Sequence, residues 1–162
     1  MYLASTRTLM TPFLLLAAVA CGDGVTFPNV SAQDALSGTW VYRGNLSGDG
    51  FDCSVEGVIL DLQVSGNILG GSATPGTILC SRGTLAFRFL VFDGEQPIAN
   101  GSFAGNDIRF DIGSSEFHNQ GIFSSDQMTG DATLVFDVPL EEPMIGTLSL
   151  AGTFEAAKVT LP

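Results

Sequence analysis

The chain has 162 residues, with 17 acidic against 6 basic side chains and a formal charge of −11. Such a field repels phosphate backbones and anionic headgroups, whose binding needs clustered Lys and Arg, so nucleic acid is excluded as a partner. Seven prolines and an ample supply of Val, Leu, Ile and Phe exclude a disordered stalk and point to one compact domain.

The first twenty residues hold Arg7 and no acidic side chain, and residues 13–20 form an apolar run that stops at Cys21. Eight residues are far too few for a membrane-spanning helix, which needs about 20, so residues 1–20 have the make-up of a secretory leader. Ala18-Val19-Ala20 is a small-x-small cleavage pattern, and with Cys21 directly after it the segment resembles the lipobox of bacterial lipoproteins. Ala18 stands where that motif usually has leucine. The resemblance implies cleavage before Cys21 and a diacylglycerol on its thiol. It implies a lipid-anchored place in the bacterial envelope, at the outer membrane if the cell has one. Residues 21–35, polar and turn-rich, then form a tether, and the domain occupies residues 36–162.

The domain reads as a succession of strands and tight turns. Residues 36–44 (LSGTWVYRG) set Trp40 and Tyr42 on one strand face and Val41 and Arg43 on the other. Residues 58–64 (VILDLQV) alternate with period two, as a sheet with one packed and one wet face requires. Gly66-Asn67 turns the chain into residues 68–73 (ILGGSA). Further strands are expected at residues 84–91, 96–103, 107–112, 116–123, 129–137 and 145–159. Gly105-Asn106 and Ser124-Ser125-Asp126 supply turns between them. In residues 107–112, Ile108, Phe110 and Ile112 share one face and Asp107, Arg109 and Asp111 the other. No useful helical stripe is present. The expected fold is therefore all-β, a small soluble up-and-down antiparallel barrel of about eight strands, because closure removes exposed sheet edges. Charged outer faces argue against a lipid-facing barrel, whose outside would be a continuous apolar band.

Gly38-Thr39-Trp40 resembles the G-x-W opening of the calycin superfamily, the lipocalin and avidin group. The SGNILGG, AGNDIRF and MTGDATLVF stretches are similar to the hairpins of such barrels. That resemblance implies a small meandering barrel over residues 36–159. No ligand-binding residues of the group can be matched onto this chain.

Cys53 and Cys80, in an exported chain, are expected to form a structural disulfide. Neither belongs to a CxxC pair and His118 is the only histidine, so no metal site and no cofactor are implied. His118 falls on the strand face opposite Phe117 and Phe123, with polar neighbours and no nucleophile marked out beside it, so no catalytic residue is assigned. Asp49-Gly50-Phe51-Asp52 and Glu141-Glu142-Pro143 read as acidic turns rather than metal loops. Trp40, Tyr42, Phe87, Phe89, Phe110 and Phe136 are the candidates for lining an interior pocket. These features favour a noncatalytic, lipid-anchored binding or interaction protein of the envelope. The alternative is a carrier or sensor of a small apolar ligand in the barrel interior; a glycan-acting or other hydrolytic enzyme ranks third. The partners implied are the membrane, through the lipid, and a small apolar ligand or an envelope protein.

Overall fold

Alternation of large apolar with polar residues bends this chain into a closed sheet. The computed structural model describes residues 31–113, 116–139 and 145–160. Cys21, the expected leader and the expected tether up to residue 30 lie outside them, as does Glu141-Glu142-Pro143. One short helix, α1 (Ala32–Leu36), precedes ten strands: β1 (Gly38–Gly48), β2 (Phe51–Ser65), β3 (Ile68–Ala73), β4 (Thr77–Arg82), β5 (Leu85–Leu90), β6 (Gln96–Ala104), β7 (Asp107–Ile112), β8 (Phe117–Phe123), β9 (Gln127–Pro139) and β10 (Ile145–Lys158).

All pairings are antiparallel, and the ring β1-β10-β9-β8-β7-β6-β3-β2 closes through β1 and β2. The result is an eight-stranded closed antiparallel barrel, consistent with the calycin-like fold that Gly38-Thr39-Trp40 implies. Its staves follow chain order because β3 and β4 both pair with β2, one above the other: Ser65↔Ile68 to Leu60↔Ala73 below, then Glu56↔Thr77 to Asp52↔Ser81 above. On the return, β5 pairs with β4 and β6 with β3. The barrel thus has a lower storey of eight complete staves and an upper storey where, among the described residues, β5 has a hydrogen-bonded neighbour on one side only.

Two bulges shape the ring. Tyr42 faces Val58 and Gly44 faces Val55, so Arg43 stands opposite both Glu56 and Gly57. Gly57 takes φ +74°, the left-handed conformation a bulge of this kind demands and glycine tolerates. In β6 an extra residue lies between Ala99↔Asp111 and Ser102↔Arg109, and Asn100 takes φ +49° there. A tight interior is built by Gly121 and Gly130, directly opposed on β8 and β9. A Cβ on either would run into the other strand's backbone.

The core is one cluster. Trp40, Tyr42, Val55, Val58, Leu60, Ile78, Phe110 and Met128 are fully buried, with Phe117 and Leu150 almost so. Tyr42 stacks on Phe154 and meets Phe117 edge-on, while Phe110 meets Phe154 edge-on. Apolar side chains fill the inside and charged ones such as Arg43, Glu56, Asp61, Arg109 and Asp131 are exposed, the arrangement of a barrel surrounded by water rather than lipid.

The lower end is closed by α1. Ser31 caps it, its Oγ accepting the Asp34 N–H. Trp40 Nε1–H donates to Leu36 O at 2.9 Å, and Lys158 Nζ donates to Asp34 O and Ala35 O at 2.9 and 2.7 Å, satisfying carbonyls that a helix end leaves open. Ordered structure therefore begins before Leu36, inside the expected tether.

Asp111 departs from the expected wet face. Its register opposite His118 keeps it on the outer side, yet it is only 4% exposed. The Asn100 bulge brings the Asn100 amide to Asp111 Oδ2 at 2.7 Å, and His118 Nδ1 lies 2.7 Å from Oδ1. Burial alone would raise the carboxyl pKa. The hydrogen bonds from Asn100 and His118, with the charges of His118 and Arg109, outweigh it and hold the group below its ordinary value. A carboxyl depressed in the folded state stabilises the fold above its unfolded pKa, near 3.9, and that stabilisation disappears as pH falls through the lower folded value. Asp111→Asn should therefore lower the urea midpoint at pH 7 by more than at pH 3. Equal losses at the two pH values would refute this assignment.

Candidate ligand-binding site

The six aromatic candidates divide between the storeys. Trp40, Tyr42 and Phe110 lie in the lower interior, fully buried against other core side chains. Phe87, Phe89 and Phe136 lie in the upper storey, half-buried on the edge of the core cluster.

The lower interior is filled and neutral. Tyr42 Oη–H donates to Asn119 Oδ1 at 2.8 Å, and Asn119 Nδ2–H donates to Phe117 O at 3.3 Å. Burial pushes the Tyr42 hydroxyl well above its ordinary pKa, so it keeps its proton and holds Asn119 in place. This pair gives the core a fixed polar contact in an otherwise apolar interior.

The upper storey carries a row of rings. Phe51 and Phe87 have centroids 5.2 Å apart, Phe87 and Phe89 5.7 Å, and Phe89 and Phe136 5.1 Å. Phe87 and Phe89 alternate inward on β5, Phe51 opens β2, and Phe136 stands on β9 just past Val135. Among the described residues, the Val135 N–H to Glu116 O hydrogen bond is the topmost link between β9 and the β7–β8 side. Above it, β5 and β9 face one another without sharing a ladder, and the Phe89–Phe136 contact spans the gap. Phe92, just beyond β5, reaches Phe117 at 6.0 Å and joins this row to the lower core.

Two covalent and local devices hold the row. Cys53 and Cys80, directly opposed on β2 and β4, form a disulfide with Cα atoms 4.0 Å apart. Asp49-Gly50, both at positive φ, make the two-residue β1–β2 turn, a type I′ pattern matched to strand twist. Asp49 Oδ2 accepts the Ser149 N–H at 3.0 Å, which binds that turn to β10. The acidic stretch at Asp49 is thus a hairpin turn tied to a neighbouring strand.

A crevice of about 230 Å³ opens at this end, lined by Asp49, Phe51, Arg82, Phe87, Gly146, Thr147 and Leu148. A larger concavity of about 840 Å³ lies on the outer face of β6 to β9, among Arg109, Gln120, Thr129 and Asp131. That face mixes its polar groups with Phe103, Ala104 and Ile122 and lies open to water, whereas the smaller crevice is more enclosed and offers ring faces whose burial is itself favourable. Of the crevice residues, only Phe87 is among the six aromatic candidates; Phe51, Arg82 and Leu148 are not. A signal was present in the parity of β5, since the inward Phe87 and Phe89 require facing apolar partners.

No protein-family model matches the chain, and comparison with curated proteins and with solved structures finds no significant similarity. The site is therefore read from its own chemistry.

Proposed function

We propose that this protein binds a small apolar molecule in the aromatic crevice at the upper mouth of the barrel, without acting on it chemically, while held at a bacterial envelope by lipid on Cys21. The observation that carries the binding is the half-buried row Phe51, Phe87, Phe89 and Phe136 beside a crevice. Rings left partly in water gain free energy when an apolar guest covers them, at about 25 cal/mol per Å² before the costs of association. The packed lower barrel supplies a rigid floor, so the guest sits at the mouth rather than deep in the lumen.

Titration of the protein with the neutral dye N-phenyl-1-naphthylamine tests this reading by fluorescence. One saturable site is expected, and Phe87→Ala should weaken it about tenfold, the loss of roughly 1.4 kcal/mol of ring contact. Absence of saturable binding, or full affinity in Phe87→Ala, would count against it.

The apolar run ending at Cys21 supports the envelope address. In bacteria making the full chain, Cys21→Ser should move the protein from the membrane fraction to the soluble one. Retention of the variant on membranes would remove the lipid from the account.

The second reading, an interaction domain of the envelope, draws on Leu79, Leu85 and Leu90, which are 48%, 59% and 60% exposed around the free edge of β5.

A further inference from the structure

Building on the binding reading above, we propose that the crevice takes a small amphipathic anion, with its apolar body against Phe51, Phe87 and Leu148 and its carboxylate on the Arg82 guanidinium. Arg82 is one of six basic side chains in a chain of charge −11, and it lines the crevice beside the aromatic row. Its guanidinium carbon lies 4.5 Å from the centroid of the Phe51 ring. That distance is within cation–π range and places the guanidinium beside the crevice. The stem passes where residue 50 has no side chain, since a Cβ on Gly50 would stand 3.3 Å from Arg82 Cδ. The Phe51 ring therefore favours one position of this exposed side chain, which lowers the entropy lost when it grips a ligand.

The other charged group of the lining, Asp49, keeps its negative charge, so a carboxylate guest must lie on the Arg82 side. Asp49 turns its Oδ2 to the Ser149 backbone, and among the described residues Arg82 forms no ion pair. A planar guanidinium beside an apolar wall matches a carboxylate bidentately. The protein's overall field repels anions, so the preference for one is local and rests on this single cation. At about 230 Å³ the crevice is smaller than the ~300–1,000 Å³ usual for drug-sized ligands, which restricts the occupant to one or two rings or a short acyl chain.

The test compares three probes of one shape, 2-naphthoate, 2-naphthalenemethanol and 2-naphthylmethylamine, titrated calorimetrically into the full chain. The carboxylate should bind about tenfold more tightly than the alcohol, as charge-assisted hydrogen bonds allow, and the ammonium most weakly. Arg82→Gln should erase that preference and leave the alcohol unchanged; Arg82→Lys should keep part of it. Equal affinity for carboxylate and alcohol, or a preference that survives Arg82→Gln, overturns the anion assignment and leaves the apolar site standing. Loss of alcohol binding in Arg82→Gln also overturns it, because Arg82 would then be shaping the crevice rather than reading charge. If none of the three binds the unaltered protein, the apolar reading falls with it.

Discussion

Trp40→Ala should remove about 3–5 kcal/mol of stability, the range for emptying a large aromatic from a packed interior. Trp40 is fully buried, and its loss has three separate consequences. A cavity opens at the floor of the barrel, Leu36 O loses the indole N–H that satisfies it, and Lys158 Nζ loses a ring 5.6 Å away. The last two anchor α1, so the damage should spread to the helix. Trp40→Phe refills most of the volume without the N–H, and it should recover all but about 1–3 kcal/mol of the loss, the cost of one unsatisfied buried carbonyl. Urea unfolding followed by circular dichroism separates the two variants. Equal stability of Trp40→Ala and the unaltered chain would disprove the central role of this residue.

Removing the disulfide by Cys53→Ser with Cys80→Ser should cost about 3–4 kcal/mol, because the bond closes a loop of 27 residues' separation and restricts the unfolded chain. The effect should not be uniform. Among the described residues, β5 pairs with β4 alone and β4 joins the rest of the sheet only through β2, so in the double variant their amides should exchange with solvent well before those of β9 and β10. Non-reducing peptide mapping of the unaltered protein should recover Cys53 joined to Cys80. An unchanged urea midpoint in the double variant would show that the bond adds nothing to the fold.

Much of the barrel was legible because its strands obey period two. The alternation in residues 58–64 and 107–112, and the turns Gly66-Asn67 and Gly105-Asn106, appear in the structure where the sequence put them. The upper half of β2 was not legible for a local reason. Gly57 inserts an extra residue, Glu56 and Gly57 are both exposed, and the pattern before Val58 therefore falls out of phase with the pattern after it. β4 was hidden as well, since TILCSR is short and its inward residues are only Ile78 and Cys80. Asp111 looked like a surface acid because nothing near it in sequence shows that a bulge at Asn100 will cover it. The same limit applies to the site. Phe87 and Phe89 share a visible parity, but their neighbours Phe51 and Phe136 lie 36 and 47 residues from them, and Arg82 becomes a recognition group only when the β1–β2 turn brings Phe51 beneath it.

The placement of α1 also gives the molecule a direction. Its helix seals the floor, and the aromatic mouth lies at the opposite pole. On the proposed anchoring at Cys21, the lipid would join the chain on the side of the sealed pole, away from the opening.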